Sequence, residues 1–308
     1  CSGDPRDLHS FPTRRSSDRM SFVAFLGAIE TGLLYGFLSL GVYLSFRVLK
    51  FPDLTVDGSF PLGAAVVATL ITQGVNPWLA TAVAMVAGAL AGLCTASLSV
   101  RFNILNLLAS ILTMIALYSI NLRIMGRPNV PLLNQPTLFD GLDTVLPIWV
   151  ILLVGLGLAK LAIDFFLTSD LGLAMRATGL NPTMAKAQGI YTNRLILLGM
   201  AMSNALAALS GALFAQVNGF ADVALGVGTV VVGLATVILG EAIFPSRTVR
   251  WATLAVILGC LIYRLVIALA LNADFLGLRA QDLNLVTALI VVLALVLPQA
   301  NLLAKFKR

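Results

Sequence analysis

The chain has 308 residues, of which 59% are hydrophobic and only 11% charged, with a net charge of +6 and a mean hydropathy of +0.96. Soluble domains carry about 25% charged residues, so no soluble fold could hide this much apolar surface, and a bilayer must be the solvent for most of it. The basic residues stand singly between apolar runs, which fits the bias of membrane loops better than a nucleic-acid footprint.

Residues 1–19 are polar and unlike the rest of the chain. The run from Ser10 to Asp18 back-translates to a string similar to a sequencing-library adapter, so an artefact joined to a start at Met20 is expected, with a disordered tail as the alternative. A targeting segment is disfavoured because no short apolar core precedes a small-residue cleavage site. Setting these residues aside removes His9, the chain's one histidine, and with it histidine-based catalysis or metal binding. The cysteines, Cys1, Cys94 and Cys260, give no disulfide framework, and the last two read as small buried hydrophobes.

From residue 20 onward the pattern predicts one all-α membrane domain, a polytopic bundle of about nine spans, eight to ten allowing for broken ones. The first covers 22–46. A short, glycine-bearing second, 58–72, comes after an odd stretch from Phe51 to Pro61. The third and fourth cover 77–100 and 104–125, and a polar loop fills 126–146. The fifth covers 147–167. After a mixed loop, 168–190, come the sixth at 191–217, a short seventh at 226–244, the eighth at 251–271 and the ninth at 283–300. At 1.5 Å per residue, about 20 residues cross the hydrocarbon layer. If nine spans alternate, Arg47, Lys50, Arg101, Arg176, Lys186, Arg194, Arg247, Arg250, Lys305, Lys307 and Arg308 share one side, which should be the cytoplasm, together with the C-terminus. Arg123, Arg127 and Arg279 fall on the other. A weak internal repeat pairs Phe51-Pro52-Asp53 with Phe220-Ala221-Asp222, each opening a short segment, as interrupted helices do around transporter pathways; chance similarity explains it equally well.

The loop 168–190 predicts two short helices. One covers 172–178 and ends at Gly179. The other covers 182–188, with Asn181 as N-cap, Pro182 in the first position and Gly189 past its end. Two readings stand: a handle on which an external motor pushes, or a loop resting on headgroups.

The run Gly172-Leu173-Ala174-Met175-Arg176-Ala177-Thr178-Gly179-Leu180-Asn181-Pro182, with Ala185, Gly189-Ile190 and Thr192-Asn193-Arg194, resembles the coupling region of ABC importer permeases of the branched-chain amino acid and ribose type. Ala-Leu-Ser-Gly-Ala-Leu at 208–213 looks like the small-residue helix that comes next in that family. Arg47 with Pro52-Asp53-Leu54-Thr55-Val56-Asp57-Gly58-Ser59-Phe60 is similar to the subgroup assigned to tryptophan/tyrosine uptake. The resemblance implies a dimer of permeases, with a second copy or a paralogue, ATP-binding cassette subunits beneath, and a solute-binding protein outside. It places this chain in a bacterial inner membrane and makes Ala174, Met175, Arg176, Ala177, Thr178, Gly179, Leu180, Asn181, Pro182 and Lys186 the ATPase-coupling residues. No Gly-x-x-x-x-Gly-Lys-Ser/Thr loop occurs, so an ATP-driven reading requires a separate ATPase chain.

Candidate pathway residues are Glu30, Asp53, Thr55, Asp57, Ser59 and Arg264. Pro52, Pro61 and Gly58 disfavour a continuous helix. Irregular backbone at membrane depth lines a wet cavity or is buried in protein, so Thr55, Asp57 and Ser59 could face a pathway. In the simpler reading, Asp57 caps its own helix and Asp53 pairs with Arg47 or Lys50 at the surface. Glu30 and Arg264 lie roughly 10–12 Å inside their spans and either face each other or the pathway, or snorkel independently. Lys160 and Asp164, at i, i+4, read as a local ion pair. Gly32, Gly36, Gly41, Gly88 and Gly92 let helices approach.

The expected function is that of a permease subunit of an ATP-driven importer of a small solute, an amino acid first of all, working by alternating access. The alternative is an ATP-independent transporter or channel using an acid such as Glu30, Asp53 or Asp57. An intramembrane enzyme is disfavoured, since no catalytic constellation occurs at usable spacing, and no cofactor or metal is expected.

Overall fold

A computed structural model describes residues 22–141, 146–245, 248–272 and 292. The expectations for residues 1–19, for the ninth segment at 283–300 and for the basic C-terminus lie outside the described residues. Helix α1 (Phe22–Val42) continues into a π-helical turn, Tyr43–Val48. Then come α2 (Val56–Thr72), α3 (Pro77–Phe102), α4 (Asn106–Met125), β1 (Asn129–Pro131), α5 (Ile148–Thr168), α6 (Asp170–Leu180) and α7 (Pro182–Ala187). Helix α8 (Thr192–Asn218), β2 (Phe220–Asp222), a 3-10 turn (Val223–Gly226), α9 (Thr229–Ile243) and α10 (Val249–Asn272) complete the described chain. Seven of these helical runs are long and apolar enough to cross a membrane, among the described residues. Each of the eight predicted segments that falls on described residues is a helix within a few residues of its expected bounds.

Local chemistry sets the ends. Asn76 accepts a hydrogen bond from the Trp78 N–H at 2.9 Å and Pro77 stands next to it, so α3 starts there. Asn103 ends the same helix in the left-handed region, and Gly126 and Gly219 do so for α4 and α8. The outward faces are apolar. Leu79, Val86 and Leu90 on α3, Leu112 and Ile115 on α4, and Leu158 and Phe165 on α5 are exposed, as lipid-facing side chains would be. Cys260 is buried and donates to the Gly32 carbonyl, but Cys94 lies exposed on α3, which corrects the expectation that both are buried.

Helix α2 sits at the centre, wrapped by α8, α3 and α4, and nearly all of it from Val56 to Ile71 is buried. At 17 residues it spans only about 25 Å. Its backbone touches that of α8 directly. A Cβ on Gly63 would stand 1.9 Å from the Ala208 carbonyl oxygen, and one on Gly211 would stand 1.9 Å from that of Phe60. Small residues thus replace side-chain packing with backbone contact, the common device of helix pairs in lipid. Helix α1 packs on α8, α5, α9 and α10, and a ring cluster of Tyr35, Phe60 and Phe214 joins α1, α2 and α8.

The two ends of the bundle differ. At one end β1 pairs antiparallel with β2, Val130 opposite Ala221, stitching the loop after α4 to the loop after α8. At the opposite end lie α6 and α7. The basic residues Arg47, Arg101, Arg176, Lys186 and Arg194 belong to helix ends and loops on the α6–α7 side, whereas Arg123 and Arg127 lie on the stitched side.

Gly211→Val places a branched side chain into the Phe60 carbonyl. It should destabilise by more than the ~1–3 kcal/mol of ordinary overpacking, seen as loss of a monodisperse, thermally cooperative species in detergent. Gly157→Ala, where nothing lies within 4 Å of the added carbon, should leave the melting temperature unchanged or slightly raised.

Candidate functional site

After the π turn the chain reverses. Leu49 donates to the Leu44 carbonyl and Phe51 to that of Ser45, while Lys50 takes a positive φ of 53°. The reversal carries residues 51–55 back into the bundle alongside α8, so that Asp53 meets Asn204, which lies about midway along that helix. Helix α2 therefore begins inside the bundle.

Asp53 is fully buried. Its Oδ1 accepts from the Thr55 N–H at 2.9 Å, and its Oδ2 accepts from Asn204 Nδ2 at 2.8 Å. Asn204 Oδ1 in turn accepts from the Ser59 hydroxyl at 2.7 Å, and the Thr55 and Thr95 hydroxyls lie 2.7 Å apart. Asn121 Nδ2 donates to the Gly58 carbonyl at 3.2 Å. One hub of polar groups thus ties the start of α2 to α3, α4 and α8. Burying a carboxylate is tolerable only with such donors around it.

Asp57 does something else. Its Oδ1 accepts from the Thr229 hydroxyl at 2.8 Å and the Val230 N–H at 2.7 Å, and its Oδ2 accepts from the Gly228 N–H at 3.3 Å. A carboxylate from α2 therefore caps α9, where free N–H groups and the helix dipole favour negative charge. Pro61 has no N–H to return to the Asp57 carbonyl, and Gly226 packs against that oxygen; a Cβ there would stand 1.8 Å away. Both α2 and α9 thus begin inside the bundle, and their starting ends meet.

This arrangement corrects the simpler reading of the acidic pair. Asp53 is not at the surface beside Arg47; Arg47 Nε instead pairs with Glu241 Oε1 of α9 at 2.7 Å. Asp57 caps α9 rather than its own helix. Lys160 and Asp164 do pair, and Asp164 Oδ1 also accepts from the Thr253 hydroxyl of α10 at 2.6 Å.

Nearer the stitched end, α1, α8, the 3-10 turn, α9 and α10 line a half-open cavity of about 470 Å³. Arg264 lies on its wall with the guanidinium carbon 3.7 Å from the centroid of the Tyr35 ring, and Arg264 Nε is buried without a hydrogen-bond partner among the described residues. Thr31, Asn218, Gly228 and Thr229 add polar groups to an otherwise apolar lining. Glu30 is half-buried on α1 and does not border this cavity, and no ion pair joins it to Arg264 among the described residues. Thr55 and Ser59 are fully buried in the hub.

At the opposite end α6 lies beneath the π turn. It runs from its cap at Ser169 through Gly179 to Leu180, so Gly179 does not end it as expected. The missing side chain serves a contact: a Cβ on Gly179 would stand 1.9 Å from the Val48 carbonyl oxygen. Met175 is buried and, with Leu49, covers Gly199 of α8. Asn181 Oδ1 accepts from the Met184 N–H at 3.0 Å, Pro182 takes the first position of α7, and Gly189 lies past its end with φ +80°. The Thr178 hydroxyl is tied to the Ala174 carbonyl. The opposite face is open: Leu173 and Leu180 of α6 and Met184 of α7 are exposed, with Arg176 half-buried and Lys186 exposed.

Residues 24–297 match the model of a family described as the permease component of branched-chain amino acid transport systems. The chain belongs to that family. It is 40% identical over 280 residues, 91% of this chain and 93% of the relative, to a tyrosine transport system permease protein of Clostridioides difficile (strain R20291). It is 37% identical over 270 residues, 87% of this chain and 95% of the relative, to uncharacterized protein RP368 of Rickettsia prowazekii (strain Madrid E). No solved structure matches it significantly.

As a member of this family the chain is a multi-pass membrane permease subunit of an amino-acid importer of the ABC type. Within that permease, sequence reasoning singled out Asp53, Asp57 and Arg264 but missed their partners Asn204, Thr229 and Tyr35. Asn204 had one signal of its own, an amide in the middle of an apolar span, where polar groups demand internal partners.

Asn204→Ala leaves the Asp53 carboxylate and the Ser59 hydroxyl without a shared partner. It should cost roughly 1.5–3 kcal/mol, the usual worth of a hydrogen bond to a charged group. Asn204→Asp should be at least as harmful, both read as a drop in melting temperature of the purified permease. Asp57→Ala should cost about 1–2 kcal/mol through the lost cap.

Proposed function

We propose that this permease imports an aromatic amino acid of the tyrosine class across a bacterial inner membrane, driven by ATPase subunits that grip α6 and α7. The substrate class is supported by the relative named as a tyrosine permease. The drive is supported by one feature above the others: α6 is wedged by its side-chain-free Gly179 against the Val48 carbonyl, at the root of the reversal that leads to Asp53. The free face of α6 offers Leu173 and Leu180 to a partner, and α7 adds Met184.

A push on this handle has a short mechanical route. Val48 and Leu49 move with α6; Asp53 comes four residues later; Asn204, Ser59 and Thr95 connect the motion to α8, α2 and α3. Asp57 passes it to α9. Two copies of the chain, or this chain and a paralogue, would form the translocating pair, with a solute-binding protein docking at the stitched end. The crowding of Arg47, Arg101, Arg176, Lys186 and Arg194 at the handle end supports placing that end in the cytoplasm. Glu30, Asp53, Thr55, Asp57, Ser59 and Arg264 remain the candidates for the moving gate and pathway. The chain makes and breaks no bonds in this scheme.

Replacing Gly179–Lys186 with a flexible Gly/Ser stretch should abolish co-purification with the ATPase partner while the permease itself stays in the membrane. Retained co-purification, or cysteine labels at Lys186 reacting only from outside, would defeat the coupling assignment.

A further inference from the structure

We infer that the cavity walled by Arg264 and Tyr35 is a binding site for an amino acid with a flat aromatic side chain, held by its carboxylate on the Arg264 guanidinium. The ligand class rests partly on the proposed importer function; the site is read from the cavity itself.

Three features build it. Its volume of about 470 Å³ falls within the ~300–1,000 Å³ common for small-molecule sites. Arg264 is its one charged lining residue among those described, so the cavity favours an anionic group. Asp57, whose partners Gly228 and Thr229 line the cavity, is already occupied by three donors from residues 228–230 and is not left to neutralise the arginine.

The position of the guanidinium narrows the ligand further. Its carbon lies over the Tyr35 ring, 3.7 Å from the centroid, a contact with the ring face that uses up none of the N–H donors. Nε is buried with no hydrogen-bond partner among the described residues and is closed to the cavity's contents, whereas the two Nη groups are not closed off in this way. A charged group left without an anionic partner inside protein is costly, and a carboxylate in the cavity meets the Nη groups with two parallel bonds. Asn218 spends its Nδ2 on the Phe214 carbonyl at 2.9 Å, which leaves its amide oxygen as an acceptor for an ammonium group.

The rest of the wall is suited to a ring. Tyr35 and Phe214 meet edge to face, with centroids 6.1 Å apart, and Leu225, Val232 and Ile267 surround the space beside them. Gly228 and Thr229 both border the cavity and bind Asp57. A ligand seated there touches the same backbone that locks α9 to α2, so its presence is felt at the hub.

The test is equilibrium binding of radiolabelled L-tyrosine to the full chain in lipid nanodiscs without any ATPase, with unlabelled L-phenylalanine, L-leucine and tyramine as competitors. Because no ATPase is present, failure of the coupling experiment leaves this measurement standing, and the reverse holds too. Tyrosine and phenylalanine should bind, and tyramine, which lacks the carboxylate, should be weaker by about ten- to a hundredfold. Arg264→Gln should bring tyrosine down to the tyramine level while leaving tyramine unchanged, with the melting temperature confirming that the variant is folded. Tyr35→Leu, which keeps the arginine, should weaken both. Tyramine binding as tightly as tyrosine, leucine competing as well as phenylalanine, Arg264→Gln retaining wild-type affinity, or no binding by the wild type at millimolar ligand would each overturn the assignment.

Discussion

A carboxylate shut away from water must be given donors by the protein, and the architecture of this permease turns on how Asp53 finds them. The oxygens of Asp53 are met by the Thr55 N–H and by Asn204 Nδ2. To bring these together, the chain must double back after α1, α2 must start inside the bundle, and α8 must pass close enough to donate. The close backbone contacts at Gly63 and Gly211 are the packing counterpart of that demand. A polar group in the interior of a membrane protein has few alternative partners, so the hub specifies one arrangement of α2, α3 and α8.

The second acid extends the same logic to α9. A helix that begins inside protein exposes N–H groups that water cannot reach. Asp57 supplies the acceptor from another helix and so ties the two interrupted segments together by their starting ends. The hub lies between α6 and α7 on one side and the arginine-walled cavity on the other. Few residues separate them: Val48 touches Gly179, Asp53 touches Asn204, and Thr229 touches both Asp57 and the cavity.

Much of this was legible in the sequence because lipid imposes simple rules. Long apolar runs had to be helices, and caps such as Asn76-Pro77 and Asn181-Pro182 marked their starts. What stayed hidden were contacts between residues far apart in the chain. Nothing local indicates that Asp57 serves α9 rather than α2, or that Arg264 lies on Tyr35 instead of facing Glu30. Gly179 misled for a related reason: glycine near a helix end reads as a terminator, whereas here its lack of a side chain admits the Val48 carbonyl.

The small ribbon formed by β1 and β2 has a consequence for motion. It fastens the loops after α4 and α8 to each other through paired backbone groups. Separating these two loops would break paired backbone groups, so relative movement of α4 and α8 is least favoured at the ribbon.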